Sequence, residues 1–321
     1  MAQEDAGSNP VSHPTYNKTT GGREEFCEHG ESMKQTPQNL APLLTTTATP
    51  KNPAGQVTNG QSGTIPLAAE TGMDQVDTCP PGAELVTVIT VVDEHTSQES
   101  LSTLNDFVAG EGFEHLIVVD GPDEPDVPLV GQVLTTGCVV GTAAARNLGL
   151  AHATGEYITT AEVGDTLPAS GMWDRATALH HNDQIGWVGG YLATNPASGT
   201  GQVIWKSKTR TGLNFPRDVF NAWDREDEEF PVAPETLMVR RDVLLAEGGW
   251  GGLPHAEDLC MALRVTSRHA GELLGKVVYK YGETPNHRLQ ISQRRVLDPA
   301  CRSFCYQMGE ALARLAERTA S

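Results

Sequence analysis

From residue 85 onward the apolar positions fall into alternating strand-like and helix-like stretches. Val86–Val92 is an unbroken β-branched apolar run, the pattern of a central strand buried on both faces. Thr96-Ser97-Gln98-Glu99 then has the form of a capping box, and Leu101, Leu104, Phe107 and Val108 follow at helical spacing. Residues 115–119 make a second apolar run that stops at Asp120-Gly121-Pro122-Asp123, a turn signal. Strand, helix and strand in this order form a βαβ unit of ordinary size. A weaker strand is expected over 127–134 and a helix over 142–153. The stretch from Gly155 to Asp165 reads as a short buried strand running into acidic residues. Pro168 opens a helix that continues to 181, and 185–193 is another strand. Residues 205–227 show no clear period and are expected to contain loops over a site. A strand at 236–239, a short helix and Gly248-Gly249 come next, then a helix at 257–268 and a strand at 276–281. A last helix is expected from Pro299, with Phe304, Met308, Leu312 and Leu315 on one apolar stripe. There is no internal repeat. The pattern as a whole predicts an α/β domain with a mostly parallel sheet flanked by helices.

Residues 1–82 are different. They are rich in Thr, Asn, Gly, Pro, Gln and Ser, and their only aromatics are Tyr16 and Phe26. Such a segment has too little apolar surface to offset its ordering entropy, so a disordered tail is expected ahead of a domain at 83–321.

Charge and cysteine content narrow the function class. The 41 acidic residues outnumber the 23 basic ones, for a formal net charge of −18. That balance disfavours non-specific contact with nucleic acid or an anionic membrane. No run of about 18 apolar residues occurs, so no membrane span is expected, and no basic segment precedes an apolar core as in a secretory leader. A cytoplasmic location is the expectation. The six cysteines form no CxxC pair; Cys301 and Cys305 share a helix face but make a poor zinc site alone.

The candidate chemistry gathers at strand ends. Glu162-Val163-Gly164-Asp165 follows a buried strand, where carboxylates can hold a divalent cation against a phosphorylated ligand. Just upstream, Gly141-Thr142-Ala143-Ala144-Ala145-Arg146-Asn147-Leu148-Gly149 puts Arg146 and Asn147 on a helix beside that loop. Gly248-Gly249-Trp250 and then Glu257-Asp258 come about a hundred residues later. Two acids at a helix start can serve as a proton acceptor or simply complement the helix dipole.

In order and spacing these blocks resemble the inverting nucleotide-sugar glycosyltransferases of glycosyltransferase family 2. The resemblance implies a GT-A, Rossmann-like fold and transfer of a sugar, most often a hexose, from a nucleoside-diphosphate sugar to an acceptor hydroxyl. By the same resemblance, Asp258 of Glu257-Asp258 is the general base. Asp120 after Ile117-Val118-Val119, the Val92-Asp93-Glu94 segment, Arg146 and Asn147 bind the donor. The family's Asp-x-Asp motif is represented by Glu162-Val163-Gly164-Asp165: the first acid is Glu and the second is Gly. Glu162, Asp165 and His287 are the implied ligands of Mg²⁺ or Mn²⁺. The tyrosine that stacks on the base in the family is absent from Val92-Asp93-Glu94. Two rival classes stay open. One is a catalytically silent GT-A domain acting as a nucleotide-sugar-binding or partner protein. The other is a nucleotidyltransferase, which would want a basic glycine-rich loop where Asp93-Glu94-His95 stands.

Overall fold

A computed structural model describes residues 85–320 except 95, 97–99, 102–103, 105–111, 123–128, 196–202, 206–207, 225–229 and 283–284; the side chains of 195, 204–205, 285–298 and 319–320 are also outside it. The tail expected over 1–82 lies outside the described residues, as do Phe107, Val108 and the capping residue Glu99.

The β-branched run folds as expected: β1 (Val86–Val92) is buried along almost its whole length. It pairs in parallel with β2 (Glu114–Val119) on one side and β4 (Tyr157–Thr160) on the other. β3 (Gln132–Thr135) adds to β2, and α1 (Thr142–His152) crosses from β3 back to β4. α2 (Ala169–His181) leads from β4 to β5 (Trp187–Asn195). The sheet continues through β6 (Val203–Trp205), β7 (Gly212–Asn214), β8 (Met238–Arg240) and β9 (Gly271–Gly282). Short α3 (Asp218–Asn221) follows β7, a 3₁₀ turn Pro234–Thr236 precedes β8, and α4 (Arg241–Ala246) follows it. α5 (Glu257–Arg268) then packs on the sheet, and α6 (Pro285–Ala320) closes the chain.

The strand order is β3-β2-β1-β4-β8-β5-β9-β7, with β6 beside β5. β8 runs antiparallel between β4 and β5, while β9 returns to parallel pairing with β5. Six of these nine strands therefore point one way, and β6, β7 and β8 oppose them. This mixed, mostly parallel sheet with helices against it is the α/β architecture that the apolar pattern called for. Apolar residues of both faces form separate cores. One joins Ile89, Val118 and Trp187 to α5 and α6 through Leu263 and Cys305; the other joins Val88 and Tyr157 to α2 through Met172 and Leu179.

Three elements depart from the sequence expectation. β9 starts at Gly271, five residues before the expected strand, because Gly271 and Gly275 interrupt the apolar pattern while the backbone stays paired to β5 across register shifts. α6 starts at Pro285 rather than near Pro299, and Pro299 lies inside the helix. Its buried side is also rotated: Cys301 and Cys305 are buried and Met308 packs on the core, while Phe304 and Leu315 are exposed. The thiol of Cys305, not the phenyl ring of Phe304, is the side chain turned to the core shared with α5. The 205–227 segment is less loop-like than expected: β7 extends the sheet edge, and Phe220 and Trp223 pack against Tyr306 of α6.

Candidate active site

The parallel strands β1, β2 and β4 deliver their following residues to one edge of the sheet. Asp93 follows β1, Asp120 follows β2, and Glu162 lies two residues beyond β4. Chain connections leave β1 toward β2 on one side, while β4 lies on the other, so the crevice at these carboxyl ends is the position where open α/β sheets bind ligands.

Arg146 is the hub of the site. Its place on α1 is internal to the fold, with only 3% of the residue exposed. The Nη2 group donates to Glu162 Oε1 at 2.5 Å, and Nη1 donates to Asp258 Oδ1 at 2.5 Å and to Glu257 Oε1 at 3.0 Å. The guanidinium also lies 5.9 Å from the centre of the Trp250 ring, a cation–π distance. Burial by itself would discourage its charge, but the carboxylates of Asp258, Glu162 and Glu257 outweigh this and raise its pKa above the usual arginine value. Three carboxylates against one guanidinium leave the cluster with a formal charge of −2.

α5 starts at this cluster. Ala256 immediately before it has φ 61°, an uncommon conformation for a residue with a side chain. The strained entry sets Glu257 and Asp258 in the first turn, facing Arg146. Asp258 Oδ1 accepts a second hydrogen bond, from Trp250 Nε1 at 2.9 Å. Trp250 is itself pinned by Asn147: its N–H donates to Asn147 Oδ1 at 2.9 Å and its carbonyl accepts from Asn147 Nδ2 at 3.0 Å. Gly249, at φ 62°, lies so close to the Asn147 amide that a Cβ there would collide with it. Arg264 of α5 ties down the same turn by donating to the carbonyls of Glu247 and Gly249.

The acidic turn after β4 is held by β9. Asp165 N–H donates to Glu162 O at 3.1 Å, closing a turn with Gly164 at φ 93° in its third position. Asp165 points into the protein: Tyr279 Oη donates to its Oδ2 at 2.7 Å and Gly282 N–H to its Oδ1 at 2.8 Å. Burial pushes the Asp165 carboxyl up to about 8, against the hydrogen bonds from Gly282 and Tyr279, which favour the charged form. Burial likewise raises the Tyr279 phenol well above its usual value. Glu162 N–H donates to the same phenol oxygen at 3.1 Å, and Thr166 bridges to Lys280. Glu162 keeps 28% side-chain exposure while paired with Arg146. Among the described residues no group of three His, Cys, Asp or Glu side chains is arranged to hold a metal ion. His287 falls in the first turn of α6, and its side chain lies outside those described.

Asp120 is 5% exposed and its carboxylate is used by the entry to α1. Oδ1 accepts from Val140 N–H at 2.7 Å and Oδ2 from Gly141 N–H at 2.9 Å, with Thr136 Oγ1 at 3.3 Å from Oδ1. Asp93 Oδ1 accepts from Thr96 Oγ1 at 2.9 Å, and Glu94 is exposed. The fold thus brings Arg146, Glu162, Glu257 and Asp258 into direct contact, and sets Asp120, Asp93 and Asp165 at the same sheet edge on other partners. Two residues with a part in this arrangement carried no role in the sequence reading. Trp250 had a signal in its place directly after the double glycine; Tyr279, an alternating residue of a strand, had none.

No protein-family model matches the sequence, and no curated protein matches it. Solved structures do resemble the fold. TarS 1-349 of S. aureus, in complex with UDP-GlcNAc, is 15% identical, with a TM-score of 0.48 over 62% of this chain and 58% of that one. Another structure of TarS 1-349 is 18% identical, with a TM-score of 0.44 over 61% of this chain. This chain spans about 60% of that structure's length. The mannosyltransferase PcManGT from Pyrobaculum calidifontis, in complex with GDP-Man and Mn2+, is 16% identical, with a TM-score of 0.44 over 74% of this chain and 76% of that one. The sheet order and the acidic turn at the carboxyl ends of β1, β2 and β4 are those of the mostly parallel, helix-flanked α/β sheet that the sequence implied.

Proposed function

We propose that the chain transfers a sugar from a nucleoside-diphosphate sugar to an acceptor hydroxyl with inversion at the anomeric carbon. The observation that carries this reading is the Arg146 bridge. It joins the acid of the turn after β4, Glu162, to the acid pair opening α5, Glu257 and Asp258. A donor-side carboxylate and a proton acceptor thus share one guanidinium, the first at Nη2 and the second at Nη1.

Asp258 acts as the general base, taking the acceptor proton as the hydroxyl oxygen bonds to the anomeric carbon. Its Oδ1 is held by Arg146 and Trp250, so Oδ2 is the oxygen aimed at the acceptor. Glu257 helps keep Arg146 in place. Arg146 spreads positive charge along the crevice and so favours the diphosphate leaving group. Asp120 contributes through shape: its carboxylate fixes the 136–141 turn and the start of α1, which form one wall of the proposed donor pocket beside Asp93 and Glu94. Asn147 serves the site through Trp250.

A hard divalent cation would be held from the protein side by Glu162 alone among the described acids of the turn, with phosphate oxygens and water completing the shell, as is usual for Mg²⁺. Such an ion would supply charge neutralisation at the diphosphate. Asp165, with both oxygens bonded inside the fold, holds the turn that presents Glu162.

The test is transfer or donor hydrolysis with UDP-GlcNAc and GDP-mannose, with and without Mn²⁺, on the wild type and Asp258→Asn. The asparagine keeps the shape but cannot accept the proton, so turnover should fall by about 10²–10⁴-fold with donor binding retained. Equal turnover in the two proteins would remove Asp258 from the mechanism. The second reading is a silent GT-A domain that binds nucleotide sugar or a partner. It is favoured by one observation, that Gly164 and the inward-facing Asp165 leave Glu162 as the partly exposed acid of the turn. Donor binding without turnover of any nucleotide sugar would select it.

A further inference from the structure

Trp250 has a use for its indole beyond filling the core. It is 3% exposed and belongs to the apolar cluster of α1 and α5, which would account for any large apolar side chain. Packing alone does not account for its N–H, which points at the carboxylate assigned as the base and lies 2.9 Å from Asp258 Oδ1. It also does not account for the restraint on its backbone, which is held from two directions: by both atoms of the Asn147 amide, and by Arg264 on the glycine turn just before it.

We propose that Trp250 is a positioning residue for Asp258: with Arg146 it occupies Oδ1, leaving Oδ2 to meet the acceptor hydroxyl, and Asn147 and Arg264 hold the indole at that setting. The inference rests on the general-base reading of Asp258. Without the indole, Arg146 is the one remaining restraint on Oδ1 from outside α5 among the described residues, and it is shared with Glu162 and Glu257. A carboxylate restrained by one shared donor can rotate about χ2, and a base that rotates spends less time in reach of its proton. Asn147 enters the donor site by the same route. Its amide is engaged by the backbone of Trp250, so its loss should disturb the base before it disturbs the diphosphate.

The experiment uses the full chain and has two arms. In the first, ¹H–¹⁵N spectra resolve the indole signals, and the one missing from Trp250→Phe is that of Trp250. A bond to a carboxylate holds this signal downfield. In Asp258→Ala it should move upfield, and in Asn147→Ala it should broaden or move as the clamp loosens. An indole signal that is unchanged in Asp258→Ala overturns the proposal without any need for a substrate. In the second arm, turnover of UDP-GlcNAc and GDP-mannose is measured. Trp250→Phe keeps an aromatic face for Arg146 and loses only the donor. It should lower kcat by about tenfold, the scale of one hydrogen bond to a charged group, with KM for the donor unchanged. A loss confined to KM, or wild-type turnover, counts against it. The two readings fail separately: if Asp258→Asn turns over normally the base assignment falls, whereas a dead Asp258→Asn beside a fully active Trp250→Phe removes only the role of Trp250.

Discussion

Replacing Arg146 by alanine should destabilise the protein strongly while leaving it folded. The guanidinium is buried, and three carboxylates lie 2.5 to 3.0 Å from its nitrogens. At an effective dielectric of about 20, with charge centres about 4 Å apart, each pair is worth roughly 4 kcal/mol before desolvation. Desolvation of the guanidinium offsets much of that. The cost of deletion is instead set by what is left behind: removing one partner of a buried ion pair typically costs about 3–5 kcal/mol. Glu162 and Asp258 keep 28% and 18% side-chain exposure, so water relieves part of their repulsion and the lower end applies, about 3 kcal/mol. For a domain of this size that is roughly 6–12 °C in Tm. It is a large share of a typical stability of about 5–15 kcal/mol, but not all of it. Urea unfolding and calorimetry at pH 7 measure the loss. Arg146→Lys should fall between the two, because one ammonium keeps the charge but cannot bridge Glu162 and Asp258 with a planar fork. Adding Glu162→Gln to Arg146→Ala should recover part of the loss by removing one unpaired acid. A loss below about 1 kcal/mol, the range of an exposed pair, would show that Arg146 does not hold these acids together in solution.

Other perturbations probe the supports of the site. Gly282→Ala places a Cβ against the Gly164 carbonyl, so the acidic turn must shift. It should cost about 1–3 kcal/mol and weaken Mn²⁺ binding measured in the presence of a nucleoside diphosphate, whereas an unaltered melting curve would mean that β9 does not hold the turn so closely. Gly164→Asp restores an acid to the turn, but at φ 93°, where a side chain is strained. Stability should drop by about 1 kcal/mol while Mn²⁺ binding tightens, and a drop in stability with no gain in Mn²⁺ affinity would place that position outside the cation's reach. His115 is buried beside Thr90, and burial lowers its pKa to about 4 from the ordinary 6.5. The unfolded chain therefore takes up a proton first, and stability should be lost as pH falls from about 6.5 to about 4. His115→Gln should flatten that limb of a stability–pH curve, and identical curves would assign the acid sensitivity elsewhere.

Local pattern was enough to mark the elements and the blocks that bear the chemistry. An unbroken β-branched run can satisfy both its faces only inside a sheet, so β1 and β2 were legible residue by residue. The Gly141 to Gly149 block and Glu257-Asp258 were legible as helix starts because helical spacing acts within a few residues. The end of α6 was read a turn fraction out, since Phe304 and Cys305 are neighbours on the helix and hydrophobicity favours the wrong one; it is Cys305 that joins the core shared with α5. β9 was read too short because two glycines hide a strand whose partner, β5, lies some eighty residues away.

How the acids are used follows from long-range contacts of the folded chain. Arg146 and Glu257 are 111 residues apart, and no periodicity links them; they meet because α1 and α5 both present their polar ends at the edge where β1, β2 and β4 finish. Asp165 could be read from sequence as a substitute ligand for the missing acid at Gly164. The fold turns it inward instead, onto a tyrosine hydroxyl and a backbone N–H of β9 that no local signal connects to it. The indole of Trp250 followed a recognisable double glycine, yet its bond to Asp258 depends on Asn147, more than a hundred residues earlier. Local sequence sets which conformations a segment can adopt at low cost, whereas the partner of a buried charge is whichever group the crossovers bring within about 3 Å, and that is a property of the assembled sheet.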